Sequence, residues 1–121
     1  MLIYLLVFGI ISCSSSKNGN HCEHSKIVEF RRTAIMDTVT AIVEGKIFYL
    51  NDNSSINKAT VELTNENYNY KTVSDTAGKF EFMHIAAGTY KVSTSYSELK
   101  GDTIHLGTGD KTELKIGICK Q

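Results

Sequence analysis

The chain has no proline, only two arginines, and acids and bases that cancel at 13 each. That balance leaves no electrostatic footprint for nucleic acid, so no nucleic-acid partner is expected. Charges of both signs are interspersed, as on an ordinary solvated surface. The longest apolar run, residues 2–11, falls short of the roughly 20 residues a membrane-spanning helix needs. No segment carries a strong helical period. No Ser, His and Asp stand in a recognisable nucleophile motif. The sequence therefore offers no catalytic constellation and implies no cofactor. At 121 residues it is long enough for one domain.

What the sequence does contain is alternation. Val39, Ala41, Val43, Gly45, Ile47 and Tyr49 alternate with mostly polar residues, the mark of a long half-buried strand. Ala59, Val61 and Leu63 form the inner face of a second strand, and Tyr70, Thr72 and Ser74 one face of a third. Residues 79–84 and 89–96 make the fourth and fifth, with 98–102 as a loop. Ile104 with Leu106, then Leu114, Ile116 and Ile118, mark the sixth and seventh. Seven short strands punctuated by Gly, Asn and Asp describe an all-β, antiparallel Greek-key sandwich. Residues 26–37 are ambiguous between an added edge strand at Ile27 to Phe30 and a short helical turn.

The most informative stretch is 74–92, SDTAGKFEFMHIAAGTYKV. Asp75 suits a tight turn because its carboxylate can bond the turn backbone, and Gly78 can take the positive φ such a turn wants. Phe80 and Phe82 then share one strand face, and Tyr90 and Val92 share a face of the next. The pattern S/T-D-x-x-G-x-F-x-F, a spacer, then G-x-Y-x-V resembles the carboxypeptidase regulatory-like domain family, whose fold is transthyretin-like (prealbumin-like). Ser74, Asp75, Gly78, Phe80, Phe82, Ile85, Gly88, Tyr90 and Val92 carry it. Upstream, Val43 to Ile47 resembles the family's opening strand, and Ala59 to Leu63 its second. The resemblance covers roughly residues 38–118, within a domain expected at 38–121. Family members often carry prolines where Ile56-Asn57-Lys58 and Ala86-Ala87 stand here.

The resemblance implies a structural or assembly module on an envelope or secreted protein, acting by shape and edge-strand complementarity. The same fold hosts hydroxyisourate hydrolases that use a C-terminal Tyr-Arg-Gly-Ser; this chain ends Ile118-Cys119-Lys120-Gln121, so that activity is not expected. Related adhesin repeats form isopeptide bonds assisted by a Glu, and Ser93-Thr94-Ser95-Tyr96 lacks that acid.

Residues 2–11 suit a signal-peptide core, and Ile10-Ile11-Ser12-Cys13 resembles a bacterial lipobox. On that reading 1–12 is a signal peptide and Cys13 the lipid-bearing first residue of the mature chain. Residues 13–25 then hold the anchor and a flexible tether that includes SSSKNGN. Two or more acyl chains, at ~0.8 kcal/mol per buried methylene, give a stable membrane anchor. No Lys or Arg precedes Ile11, a departure from the usual basic start; the alternative is a buried N-terminal strand with a chance Cys. The expected address is the bacterial outer membrane, where an envelope protein would be the partner. Ser14, Ser15, Ser16 and Lys17 supply no acidic surface-export signal.

With Cys13 lipidated, Cys22 and Cys119 form an even pair and suggest a disulfide. Closing nearly the whole domain would contribute ~4–5 kcal/mol in the chain-entropy account. His21-Cys22-Glu23-His24 holds metal-ligating types, but four consecutive residues on a strand cannot all face one ion. His21 and His24 are weak candidates, and no metal is expected. Tyr68 and Tyr70, two apart and flanked by asparagines, form a possible glycan- or peptide-binding face. Thr38, Thr76 and Thr103 each follow an Asp, in a pattern that resembles the O-glycosylation sequon of exported Bacteroidota proteins. Three readings result: a non-enzymatic membrane-anchored interaction module, a small glycan- or peptide-binding module, and, resting only on His21 to His24, an enzyme or metal carrier.

Overall fold

The computed structural model describes residues 22–96, 99–100 and 102–120. Its strands are β1 (Ser25–Ile35), β2 (Ala41–Tyr49), β3 (Thr60–Thr64), β4 (Asn69–Val73), β5 (Lys79–Ile85), β6 (Gly88–Thr94), β7 (Leu99–Lys100), β8 (Thr103–Leu106) and β9 (Asp110–Ile118). They form a five-stranded sheet, β5-β2-β9-β1-β7, and a four-stranded sheet, β4-β3-β6-β8. The expected all-β sandwich is present.

The core is the inner face of both sheets, as the alternation demands. Val43 and Ile47 of β2, Val61 and Leu63 of β3, and Phe80 and Phe82 of β5 are each at most 5 % exposed. Tyr90 of β6, Leu106 of β8 and Leu114 and Ile116 of β9 close the layer from the other strands. Each such side chain contributes about 1.5–3 kcal/mol relative to exposure. Gly45 interrupts the β2 series because it faces Phe80 in register on β5, whose ring occupies the space a side chain would need.

Three expectations are corrected and one open alternative is settled. Among the described residues the strand count is nine rather than seven, because β1 and the two-residue β7 add to the sheet. Of the two alternatives for 26–37 the strand is found: β1 covers Ser25–Ile35, ends before Met36 and Asp37, and packs Ile27 and Phe30 against the core. The sheets are also not wholly antiparallel: β2 runs parallel to β9 from Ile42↔Lys111 to Tyr49↔Ile118, and β1 touches β7 in parallel. A parallel pair cannot be closed by a tight turn. Here its strands lie at opposite ends of the domain's sequence, so local pattern carries no sign of their direction. Finally, the long strand begins at Ala41 rather than Val39, which is 78 % exposed beside the 37–40 bend.

The turn joining β4 to β5 carries the chain from one sheet to the other. The Asp75 carboxylate accepts the Ala77 and Lys79 amides, both at 2.9 Å, and Gly78 takes φ +77°. Buried Ser74 donates to the Ile56 carbonyl at 2.6 Å and accepts the Ala59 amide at 2.9 Å, which ties the 56–59 loop to the same corner.

Candidate functional site

Strand directions give the sandwich two distinct ends. Ser25 opens β1, Tyr49 and Ile118 close the parallel pair, and the 75–78 turn precedes β5; all lie at one end. There Cys22 is bonded to Cys119 across 97 residues, with Cα atoms 5.8 Å apart. The Cys119 amide donates to the Ser25 hydroxyl at 2.8 Å, so the chain leading into β1 is fastened twice to the end of β9. Cys22 and Ser25, which fall within the expected tether segment 13–25, are therefore held at the end of β9, and residues 13–21 lie outside the described residues. Lys120 sits 4.6 Å above the Tyr49 ring and 3.1 Å from Asp52. Hydrogen bonds from Ser54 and the Lys120 ammonium lower the Asp52 carboxyl to about 2.

The other end carries the tyrosines. The Asn65 side-chain amide oxygen accepts the Asn67 and Tyr68 backbone amides at 2.9 and 2.8 Å, which folds the 65–68 turn back on itself. The Tyr68 and Tyr70 rings then stack at 5.7 Å and 15°, and Tyr70 meets Tyr90 edge-on at 5.8 Å. The Tyr70 hydroxyl accepts the Ala86 amide at 3.0 Å, and the Tyr90 hydroxyl donates to the Ala86 carbonyl at 2.6 Å. Burial, with Tyr70 alongside, pushes the Tyr90 phenol up to about 12. Tyr70 and Tyr90 are thus committed to structure. Tyr68, 45 % exposed, presents one ring face beside the asparagines. Such a ring can receive an apolar sugar or peptide face while amides supply directed hydrogen bonds.

The remaining expected residues are dispersed. Cys13 and His21 lie outside the described residues. Cys22, held in the disulfide, cannot serve as a thiolate ligand. Among the described residues no three His, Cys, Asp or Glu side chains gather where they could hold a metal ion. Thr38, Thr76 and Thr103 are all exposed, at separate places: the 37–40 bend, the 75–78 turn and the start of β8. Gly88 takes φ +155° at the start of β6.

Two features go beyond the sequence reading. The first is the edge of β1, where the sequence offered an added edge strand at Ile27 to Phe30 only as one of two alternatives. It meets β7 only at Ser25↔Leu99 and Lys26↔Lys100, so its outer edge from Ile27 to Ile35 has no neighbouring strand among the described residues. Ile35 is 69 % exposed there, and bulges interrupt the β9 register near Val28 and Thr33. The second is a charge pattern on the outer face of the large sheet. Glu81, Glu44 and Glu113 lie in register on β5, β2 and β9, and Lys79, Lys46 and Lys115 lie in register beside them. On β1 the order inverts: Arg31 pairs Glu113 at 2.7 Å and Lys115 pairs Glu29 at 3.4 Å. Hydrogen bonding from Arg31, aided by Lys115, holds the Glu29 carboxyl below its usual range.

The carboxypeptidase regulatory-like domain pattern matches residues 42–118. The chain belongs to that family. The carboxypeptidase regulatory-like match begins in β2 and ends with β9, so β1 and both disulfide cysteines lie outside it. Among solved structures, a Pseudomonas aeruginosa protein described as a "putative carbohydrate binding protein" is similar at 16 % identity and TM-score 0.39. That similarity covers 73 % of this chain and 93 % of the other. No curated protein matches the sequence.

Proposed function

We propose that this protein is a non-enzymatic, lipid-anchored module of the bacterial outer membrane. Its sandwich binds another envelope protein by adding that protein's strand to the free edge of β1. The observation that carries this reading is the edge itself. Past Lys26 an extended strand offers backbone donors and acceptors with no neighbouring strand among the described residues. Long exposed edges are normally shortened or covered, because they recruit other strands. Strand addition draws affinity from main-chain hydrogen bonds and specificity from the side chains that flank the edge, here Arg31, Arg32 and Ile35. Lipidation at Cys13 would hold the disulfide-bearing end toward the membrane.

The test is photocrosslinking of the full-length chain in native membranes. A crosslinking residue replaces Ile35 on β1 or Lys71 on β4, an edge of the other sheet, with a Cys13→Ala chain as the anchor control. Capture of one stoichiometric partner from position 35, absent from position 71 and lost with Cys13, is the expected result. Equal capture at both positions, or none at 35, sinks the edge reading.

The stacked Tyr68–Tyr70 pair favours a second reading, a glycan or peptide site at the opposite end. Tyr68→Ala should abolish binding on glycan and peptide arrays while leaving thermal stability near wild type. An array on which wild type and variant behave alike ends that reading.

A further inference from the structure

The outer face of the large sheet breaks a rule of sheet electrostatics. Like charges directly opposite one another on neighbouring strands are destabilising, and opposite charges are favoured. Here Glu44 faces Glu81 and Glu113 in register, and Lys46 faces Lys79 and Lys115. Shifting the pairing by two residues would have matched acid to base and kept the same faces inward, but it would have moved Phe80 away from Gly45, the residue without a side chain that its ring needs opposite it. Part of the pattern is relieved within the chain, where β1 brings Arg31 to Glu113 and Glu29 to Lys115. The β5–β2 half is not relieved. Among the described residues Glu44, Lys46, Lys79 and Glu81 make no ion pair. All four side chains are exposed, so the face is accessible.

The pattern has a symmetry. Four neighbouring strands each carry one acid and one base at the same two outward positions: Glu81 and Lys79, Glu44 and Lys46, Glu113 and Lys115, Arg31 and Glu29. Consider a two-fold axis in the plane of the contact, running across the strands midway between the two rows. It lays each strand on its own copy, reversed. Every acid then meets a base: Glu44 over Lys46, Glu81 over Lys79, Glu113 over Lys115, Arg31 over Glu29. On β2 the outward positions on either side are Ile42 and Phe48, both half-buried, so the same axis sets an apolar residue on an apolar residue. An axis along the strands between β2 and β9 instead sets Glu44 on Glu113 and Lys46 on Lys115, and matches charges only on the outer strands, Glu81 with Arg31 and Lys79 with Glu29. The charge pattern therefore favours the axis across the strands, and that operator gives a closed, self-complementary pair.

We propose that the outer face of the β5-β2-β9-β1 layer is an isologous contact between two copies of this chain, with Glu44 and Glu81 of one copy set against Lys46 and Lys79 of the other. The occupant is a second copy because the same rows supply both the charges and their complements. The contact stays wet and salt-sensitive, since stripping water from so many ions would cost more than their attraction returns. It is separate from the β1 edge and does not depend on what that edge binds.

The experiment is sedimentation velocity on the purified full-length chain in neutral detergent. Wild type is compared with Glu44→Lys/Glu81→Lys, with Lys46→Glu/Lys79→Glu, and with an equimolar mixture of the two variants. The wild type should self-associate near 0.01 M salt and dissociate near 1 M, as the screening length falls from about 30 to about 3 Å. Each double reversal turns four facing attractions into repulsions and should weaken self-association by roughly tenfold or more. The mixture should regain it as a heterologous pair. A wild type that is monomeric at low salt, association indifferent to salt, or variants that associate like wild type overturn the proposal. The wild-type salt series decides by itself should a variant fail to fold, which circular dichroism would reveal.

Discussion

A single methyl group at Gly45 tests how tightly the core is built. Gly45 lies on β2, between β5 and β9 in the large sheet. A Cβ there would stand 2.2 Å from Phe80 Cζ and 2.5 Å from the Leu114 carbonyl oxygen. The carbonyl belongs to the ladder of the adjacent β9 and cannot retreat without disturbing the parallel pairing. The ring is 5 % exposed and is held edge-on against Phe82 at 6.0 Å. Overpacking of this kind costs about 1–3 kcal/mol, and two clashes place Gly45→Ala at the upper end. Against this, alanine restricts the unfolded chain and recovers about 0.5–1 kcal/mol. The clash wins, and the net loss is about 2 kcal/mol, or roughly 8–16 °C in melting temperature for a domain of this size. Phe80→Ala alone should cost about 3–5 kcal/mol through the cavity it opens. In the double variant the ring clash disappears and only the carbonyl contact remains, so the losses should fall short of additive by about 1 kcal/mol. The assay is equilibrium urea denaturation of the four proteins. A neutral Gly45→Ala, or a double variant additive within about 0.5 kcal/mol, would refute the idea that Phe80 fills the space of the missing side chain.

Other consequences can be measured on the same material. Replacing Cys22 and Cys119 with serine releases a loop spanning 97 residues and should cost about 4–5 kcal/mol; a melting curve unmoved by reductant would count against the bridge. Tyr90→Phe removes the 2.6 Å bond to the Ala86 carbonyl and should cost about 1–2 kcal/mol by urea denaturation, whereas an unchanged midpoint would show that the bond is not needed. The Tyr90 phenol keeps its proton up to about 12 when folded but loses it near 10 when unfolded, so the unfolded chain binds fewer protons in that window. Stability should therefore decline as pH rises from 10 toward 12, less steeply in Tyr90→Phe; identical alkaline profiles would remove Tyr90 as the cause. Asp52 has the opposite sign. Its folded value of about 2 lies below the ordinary 3.8, so its contribution is present above that range and fades as pH falls through it. Asp52→Asn should flatten the acid limb of the stability curve slightly, and a steeper limb would contradict the assignment.

Much of the fold was legible because its causes are local. Period-two alternation marked β2, β3, β5, β6, β8 and β9, since each strand must turn one face to the core. The Asp75-to-Gly78 turn was readable because a carboxylate two residues before an amide, and a glycine needed for positive φ, act within one turn. The pairing of Cys22 with Cys119 followed from their being the even pair left once Cys13 was set aside. The tyrosines were readable as sharing a face, though not that the Ala86 backbone holds Tyr70 and Tyr90.

Tertiary structure alone decided the direction of β2 against β9, which length of the β1 edge has no neighbouring strand among the described residues, and the rows of like charge. Glu-x-Lys in β2 and β9 and Lys-x-Glu in β5 are each unremarkable in sequence. They become rows only when strands from across the chain settle into register, and that register is chosen by the buried face. Sequence by itself determined which residues face inward, because burial of apolar surface depends on spacing along one strand. What those strands present outward, and to which neighbour, depends on pairings between residues far apart in the chain.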